Sequence, residues 1–461
     1  MGDMSAKTVN LKYLCFSVIS SALCVFLAFN AAGWVLCSLL LSLVSVFVFT
    51  SSSGGIFFSP VRVHTILILL AACILLFQGL TTRRSLQPDL GLPEDRIRSV
   101  EGKVIYDSSF TQNGNHLMKI SLRSCTADNG DRCTAEGMLT VLGSEEQIVS
   151  CGIGISLKGR FSDGLFIYDE LQVTSRSFFN SFREKAITLL QGRILSDDDG
   201  SGLLSCQLLL GRTDDGSLPL VQKARLCGCA HVLALSGMHL GILVSICTAI
   251  CGKGKLGKMI SLFAVAAFVM TAGPRPSLVR AALGSILFFV GIRQRTFLVL
   301  FIQLLVFPRS FTELGCCYGY VAVFAIVHLA PYIEAVLMQY IGRFANLITA
   351  ALAALLFSAP VQMLANGFWC PAAILASPPA GLLAAFSMVL GLLELSFGRL
   401  SILVKLNSLV YSTMDRLFDT FSLWPKAGWV GYAVFVVLVV LLLLFNRWEK
   451  RKASTDSVIP I

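Results

Sequence analysis

The densest group of polar side chains in the apolar part of this sequence lies between His231 and His239. On one continuous helix, His231, Leu235 and His239 would share a face, and Ser236 would lie on the adjacent stripe. Ionisable groups inside an apolar segment are costly to bury, and they usually face a cavity or a partner. Gly237 leaves room for close helix packing or for a local unwinding. This segment is therefore the first candidate for a functional site.

Four interpretations of this group are open. The two imidazoles are candidate metal ligands, although the sequence offers only two ligands and no acidic residue on that face. Ser236 and His239 are a candidate nucleophile and base of an intramembrane hydrolase, although neighbours three positions apart point along one helix. In the third interpretation the side chains line or gate a polar pathway, and in the fourth they are satisfied polar groups between helices. We predict neither a bound metal nor a cofactor.

The composition identifies the kind of protein in which this group must work. Hydrophobic residues make up 55% of the 461 positions and charged residues 14%, with a mean hydropathy of +0.75. A typical soluble domain carries about 25% charged residues. Too little polar surface remains to cover a soluble body of this size, which excludes a large soluble enzyme. The net charge of +10 is expected from basic residues beside membrane spans, so it does not by itself indicate nucleic-acid binding.

Long apolar blocks predict an α-helical polytopic membrane protein of about 10–11 spans, because many approach the ~20 residues that cross a bilayer. Basic residues flank the first and last blocks, which predicts cytoplasmic N- and C-termini. Breaks at Gly273-Pro274-Arg275-Pro276, Pro331, Pro360, Pro371 and Pro378-Pro379 favour a channel or transporter, since freed backbone groups are tolerated beside a cavity. The predicted spans are 11–30, 32–50, 64–80, 232–251, 258–273, 277–292, 295–308, 317–335, 344–365, 371–398 and 428–446.

Residues 81–175 follow a different pattern. Five short runs of alternating apolar and polar residues are separated by turn residues, among them Asp128-Asn129-Gly130. Five strands at this spacing predict a small OB-like β-barrel, inserted between spans and facing the outside. Cys125 and Cys133 are close enough in sequence to form a disulfide if the barrel faces an oxidising compartment.

The strands of this barrel also offer candidate contacts for single-stranded DNA. Proteins that bind single strands combine a basic groove with aromatic side chains that stack on the bases. The segment as a whole carries slightly more acidic than basic side chains, so its overall charge does not support this role. The candidates are Lys103, Tyr106, Lys158, Arg160 and Phe166.

The chain between the barrel and the second group of spans, residues 176–205, has the pattern of an amphipathic helix. Aromatic and charged side chains alternate at helical spacing, and the run is too charged to span a membrane. It is predicted to lie in the membrane interface or to pack as a soluble amphipathic helix on the barrel. The other predicted regions are N-terminal spans in 1–80, a multi-span domain in 206–450 and a short cytoplasmic tail in 451–461.

The string from Gly228 to Leu243 resembles the signature of the ComEC family of competence proteins, in which Gly-x-x-His leads into Ala-x-Ser-Gly-x-His. Two further segments are similar to family elements and occur in the same order. Residues 208–214 precede the signature, and residues 273–281 follow it. The order of N-terminal spans, OB-like domain and multi-span domain extends the resemblance over nearly the whole chain.

The resemblance implies a function. Such proteins are thought to form the channel in the bacterial cytoplasmic membrane through which one DNA strand enters during natural transformation. An arginine in such a channel can hold a phosphate bidentately, although Arg280 is also placed to be a snorkelling residue at the flank of a span. The residues that match family motif positions, and would line or brace the channel, are Asp214, His231, Ser236, Gly237, His239, Ser277 and Arg280.

The implied partners are single-stranded DNA, the lipid bilayer and separate DNA receptor, nuclease and motor proteins. Many family members carry a metallo-β-lactamase-like domain, but this sequence has no His-x-His-x-Asp motif, so we expect a separate nuclease. It has no phosphate-binding loop of the Gly-x-x-x-x-Gly-Lys-Ser/Thr type, so we expect a separate ATP-driven motor. The chain is predicted to be a transport protein and not an enzyme, with a homo-oligomer left open. The alternative is a permease or lipid-handling protein that uses the same pathway residues.

Overall fold

The computed structural model divides into two compact units. The first comprises the chain up to Ser108 with His116–Ser177 and Val279–Glu313, and the second comprises Ser109–Asn115, Phe178–Leu278 and the chain from Leu314. The three spans predicted between 11 and 80 lie outside the described residues. The structure describes residues 88–456 apart from 112–113, 145–147, 163, 196–199, 213–217, 253, 292–297, 300–301, 304–305, 308–313 and 399.

The five predicted strands are all present, and two very short strands accompany them in the described part of the chain. A 3-10 turn, Glu94–Arg96, leads into the first strand. The strands are β1 (Ile97–Val104), β2 (Ser109–Phe110), β3 (His116–Ala127), β4 (Arg132–Thr134), β5 (Met138–Gly143), β6 (Gly154–Ser162) and β7 (Leu165–Ser175).

The five long strands close into a barrel. Strand β1 pairs antiparallel with both β3 and β6, β3 pairs with β5, and β6 pairs with β7. A parallel pairing of β5 with β7 completes the ring. Alternate residues point inward, such as Met118 and Ile120 on β3 and Ile155 and Leu157 on β6, and fill the core. The predicted five-stranded barrel is confirmed, because period-two alternation specifies which side of each strand is buried.

A hydrogen-bonded chain of polar side chains runs through the barrel core. The imidazole of His116 is 0% exposed; its Nδ1 is bonded to the hydroxyl of Tyr168 and its Nε2 to Oγ of Ser108, the latter at 2.6 Å. The backbone N–H of Val149 also donates to Ser108 Oγ at 2.7 Å. Burial lowers the pKa of His116 from 6.5 to about 4, because it disfavours the charged imidazolium.

The stability of the barrel is therefore expected to fall in acid. Between pH 6.5 and about 4 the unfolded chain binds a proton at His116 that the folded barrel does not. Stability is thus complete above pH 6.5 and decreases by up to about 3 kcal/mol as the pH falls to 4. Hydrogen exchange of the barrel amides in the full chain measures this loss. His116→Gln should flatten the dependence in this window, and an unchanged slope in that variant would contradict the assignment to His116.

Helices make up the described chain from Phe178 onward. The segments are α1 (Phe178–Ile194), α2 (Gly200–Leu210), α3 (Leu218–Leu226), α4 (Ala230–Leu233), α5 (Gly237–Cys251), α6 (Lys255–Ala272), α7 (Pro276–Phe289), α8 (Leu314–His328), α9 (Ala330–Ile341), α10 (Ala345–Asn366), α11 (Ala373–Phe397), α12 (Ser401–Ser422) and α13 (Trp429–Asp456), with a 3-10 turn at Gly342–Phe344.

Two of the described helices, α6 and α11, are long and apolar enough to cross a membrane. Tyr318–Val327 and Ala330–Phe344 would make a third span if these segments, bent by 54°, form one crossing. Five shorter apolar helical stretches lie in α2, α5, α7, α10 and α13 of the described residues. The membrane character of the chain is supported, and the larger span count stays a prediction.

Some of the prolines that were predicted to break helices lie at helix starts, and others lie inside continuous helices. Pro331 and Pro371 lie at or just before the first turns of α9 and α11, where a missing N–H is harmless. Pro360 lies inside α10, and Pro378-Pro379 lie inside α11, so the breaks predicted at these positions were wrong. Each run continues because the surrounding helical protein can accommodate the backbone groups that an internal proline frees.

Helix α11 is the centre of the second unit. Its Ala376, Ala380 and Ala384 are 0% exposed and recur every four residues, which gives a smooth stripe for close helix packing. Side chains of α2, α3, α4 and α12 pack on this core. Helix α12 has no counterpart among the predicted spans, because charged residues interrupt its apolar pattern and only one face is buried.

Candidate functional site

The segment with both histidines is a broken helix. Helix α4 ends at Leu233, the backbone is extended at Ala234 and Ser236, and α5 begins at Gly237. His231 lies exposed on α4, whereas His239 is buried on α5. The prediction that the two histidines share a face of one continuous helix was wrong. The reason is local, because Ser236 is an N-cap residue that starts a new helix instead of continuing the old one.

Ser236 and His239 form a reciprocal cap at the start of α5. The Ser236 Oγ accepts the N–H of Met238 at 3.3 Å, and the Ser236 N–H donates to Nδ1 of His239 at 3.2 Å. His239 thus stands where a capping box usually has Glu or Gln. Because Nδ1 accepts a backbone N–H, the hydrogen-bond pattern assigns the proton of the neutral ring to Nε2. Within the described residues this Nε2 is buried without a hydrogen-bond partner.

This arrangement argues against the hydrolase interpretation. The Ser236 Oγ is 3.4 Å from His239 Nδ1, which is longer than the ~2.6–3.2 Å of a nucleophile–base pair. The same nitrogen already receives the backbone N–H of Ser236. Capping accounts for Ser236 and for Nδ1 of His239, and it leaves the buried Nε2–H without a partner among the described residues.

Two more helix breaks meet this one. In chain order, the first break follows α2, the second follows α4 and the third follows α6. Ser277, on the first turn of α7, donates to the carbonyl of Leu235 at 2.7 Å. The guanidinium of Arg275, between α6 and α7, donates to the carbonyl of Gly211, just after α2. A Cβ built on Gly211 would lie 2.4 Å from the Leu235 side chain and 3.4 Å from the Ala272 carbonyl. The ends of α2, α4 and α6 are therefore joined by contacts between their breaks.

The charged side chains in the described parts of these breaks are basic. Arg212 follows α2 and Arg275 lies between α6 and α7, and both are partly buried. Asp214 and Asp215 follow Arg212 in the sequence and lie outside the described residues. Helices α5 and α7 begin at the second and third breaks, so the positive ends of their dipoles are there too. Broken helices with such ends are used inside membranes to bind anionic groups. The described groups at these breaks are therefore suited to an anionic group of a substrate.

Arg183 on α1 contacts the end of α6, next to the third break. Its guanidinium is buried and donates to the carbonyls of Met270 and Thr271, at 2.8 and 3.0 Å, in the last turn of α6. Sequence reasoning assigned this residue to the charged face of α1 and missed the contact. Phe178, Phe179 and Phe182 on the same helix are exposed, and its position in the membrane interface stays a prediction.

Comparison with protein-family models then identifies the family of this chain. The family model described as "Competence protein" matches residues 208–451, more than half of the chain. The chain belongs to the competence protein family. No curated protein and no solved structure matched the chain. The match begins at Leu208 on α2, so the competence region contains all three helix breaks.

Two further residues of the family motifs in this competence protein are Asp214 and Arg280. Asp214 lies in 213–217, outside the described residues. Arg280 lies on the same helix as Ser277, but it was assigned to the channel only through the family motif. Within the described ranges, no three His, Cys, Asp or Glu side chains are grouped to hold a metal ion.

The candidate DNA contacts on the barrel are only partly suitable. Phe166 is 0% exposed in the core and packs on Phe161, so its selection as a stacking residue was wrong. Its place in β7 points it inward. The sequence did not show this, because Leu165, Phe166, Ile167 and Tyr168 are all apolar or aromatic and give no alternation. Lys158 forms an ion pair with Glu170 at 2.9 Å. Lys103 and Arg160 are exposed and Tyr106 is half-buried, so these three stay candidates.

Cys125 and Cys133 face each other across β3 and β4 in antiparallel register. Directly opposed residues have Cα atoms about 4.5–5.5 Å apart, within the range of disulfides. Both are free thiols in this structure, and Cys125 Sγ donates to the carbonyl of Leu90 at 2.8 Å. The disulfide therefore stays a prediction, with a register that supports it.

Three residues of the site in this competence protein escaped sequence reasoning. Gly211, Leu235 and Arg275 lie within the quoted motif segments but were assigned no contact. The break predicted at 273–276 is confirmed, since α6 ends at Ala272 and α7 begins at Pro276. The Gly273-Pro-Arg-Pro string was a usable signal, since an arginine between two prolines in an apolar chain has few helical partners. Nothing in the sequence indicated that its partner would be the carbonyl of Gly211.

Proposed function

We propose that this competence protein passes single-stranded DNA across the bacterial cytoplasmic membrane as a channel component during natural transformation. The observation that carries the proposal is the junction of three helix breaks, in which Gly211 contacts Leu235 and Arg275, together with the buried Nε2–H of His239 on the first turn of α5. Membership of the competence family supports a role in DNA uptake. The channel role itself is our inference.

The chemistry at the junction suits a phosphate backbone. Phosphate oxygens accept hydrogen bonds from guanidinium groups, N–H donors and helix N-termini, and all three kinds are present near the breaks. Such contacts carry no information about base identity. We therefore expect passage of any sequence, because the site offers groups for the backbone shared by all DNA strands.

The full architecture we propose is polytopic, with about 10–11 spans and both termini in the cytoplasm. The barrel is proposed to be OB-like and to face outward, where Lys103 and Arg160 are available to approach a strand. DNA receptor, nuclease and ATP-driven motor are proposed to be separate proteins. The chain itself is proposed to be a transporter and not an enzyme.

Uptake of labelled DNA tests this function. Cells with the chain and cells with a deletion are given labelled DNA, and surface-bound and cytoplasmic label are measured separately. We expect the deletion to remove cytoplasmic label and to leave surface label unchanged, which locates the defect at passage through the membrane. Normal cytoplasmic label in the deletion strain would refute the channel and would favour a permease for another substrate.

A further inference from the structure

A second polar cluster lies inside the helical unit, formed by α2, α11 and α12. Ser205, Ser387 and Asn407 are 0% exposed, and Glu394 is 2% exposed. Glu394 belongs to α11, one of the two described helices that can cross a membrane. A carboxyl group buried at such a position is expensive, and it is usually kept because it acts on protons or ions.

Asn407 connects the members of this cluster. Its Nδ2 donates to Ser205 Oγ at 2.8 Å and, over a longer 3.5 Å, to Glu394 Oε1. Its Oδ1 accepts the hydroxyl of Ser387 at 2.9 Å. The amide is therefore shared between a hydroxyl on α2 and a carboxyl on α11, and the present distances favour the hydroxyl.

The cluster is linked through α2 to the junction of breaks. Ser205 is six residues before Gly211, which is about 9 Å along a helix. Gly391 lets α2 approach closely, since a Cβ there would be 2.9 Å from the Leu209 side chain and 3.1 Å from Ser205 Oγ. A change in the bond to Ser205 therefore acts on a helix that ends at the carbonyl held by Arg275.

Several other titratable or charged groups lie on the described helices that pack against α11. Arg193 donates to the carbonyl of Leu395 at 3.2 Å, next to Glu394. Helix α10 has no titratable side chain in its sequence. The groups are Arg183, Glu184, Lys185 and Arg193 on α1, Cys206 on α2, Lys405, Tyr411, Asp415, Arg416 and Asp419 on α12, His231 on α4, and His239, Cys247 and Cys251 on α5.

We propose that Glu394 is a proton-exchange site that controls the bond between Asn407 and Ser205. The protonated carboxyl is neutral and leaves the Asn407 amide on Ser205, as observed. When the proton passes to solvent, the carboxylate becomes an acceptor only and competes for the amide, since hydrogen bonds to a charged oxygen are shorter and stronger. The amide then leaves Ser205, and α2 is released toward the junction.

A pH step on the full chain in proteoliposomes without DNA tests this site. Infrared difference spectra report the C=O band of a protonated carboxyl, and a pH dye counts protons released per chain. We expect Glu394→Gln to lose this band and to release one proton fewer per chain than the wild type. Glu334→Gln is the matched control, because Glu334 on α9 is half-buried and lies outside the cluster. It should retain the band of Glu394 and the proton that Glu394 releases.

Two outcomes would overturn the proposal. One is a carboxyl band in the wild type that does not change with pH, because Glu394 would then be permanently protonated or permanently charged. The other is an unchanged band in Glu394→Gln. Glu394→Asp, which keeps an exchangeable proton, should shift the pH of the transition without abolishing it, so the test does not depend on one variant. Since no DNA is present, its result is independent of the channel proposal.

Discussion

His239→Asn is expected to stop labelled DNA from reaching the cytoplasm while leaving the start of α5 intact. The asparagine oxygen can replace Nδ1 as acceptor of the Ser236 N–H, so the cap survives. The distal donor at Nε2 has no equivalent in asparagine. A hydrogen bond to a charged oxygen contributes about 1.5–3 kcal/mol, so we expect transfer of DNA to fall by roughly 10- to 100-fold.

His239→Gln is the matched control for this experiment. Its terminal amide carries an oxygen that can accept the Ser236 N–H, as glutamine does in a capping box, and an N–H donor that can replace Nε2–H. Loss of the cap would cost about 1 kcal/mol, so similar thermal stability of the two variants shows that both keep it. We therefore expect appreciable uptake in Gln and little uptake in Asn, at similar thermal stability. Both are compared at equal amounts of protein in the membrane, and wild-type uptake by the Asn variant would refute the role of Nε2–H.

Gly211→Val is expected to damage the junction of breaks more than the same change at another glycine. Gly211 has φ +70°, a conformation that β-branched residues rarely adopt. A larger side chain would also collide with Leu235, which is 2% exposed, and press on the guanidinium of Arg275. Overpacking adds about 1–3 kcal/mol to the backbone strain. We expect a lower unfolding temperature and a loss of DNA uptake of at least about 10-fold.

Gly252→Val separates the two effects. Gly252 has φ +79°, close to that of Gly211, but no atom lies within 4 Å of a Cβ built there. It therefore reports the backbone strain alone. We expect Gly252→Val to lower stability slightly and to retain uptake, with the difference between the variants measuring the junction. Equal losses in both variants would show that contact between the breaks is unimportant.

Much of the fold could be predicted from local patterns. Alternation of apolar and polar residues located all five barrel strands, because each strand buries one face and the period reports it directly. Apolar composition indicated a membrane protein for a similar reason, since it measures how much surface can face water. The amphipathic α12 was missed, because charged residues such as Lys405 interrupt an apolar run without preventing a helix from packing on one face.

The candidate site was predicted only in part. His239 and Ser277 were selected by the motif, and the structure gives both a specific contact near the second break. The prediction that His231 and His239 share a helix face was wrong. Helical periodicity assumes a continuous helix, and Ser236 interrupts it. The prediction that Phe166 contacts DNA was wrong, because its side chain lies on the face of β7 that is buried in the barrel core.

The sequence by itself determined that the chain is a membrane protein with an inserted barrel and that it carries the competence signature. These properties depend on composition, on periods of two and on residues close together in the chain. Only the tertiary structure decided that the breaks after α2, α4 and α6 meet and that His239 presents Nε2–H. The contacts that do this join Gly211 to Arg275 and Leu235 to Ser277, which are 64 and 42 residues apart. Such pairings follow from how the helices pack, and no local pattern in the chain specifies them.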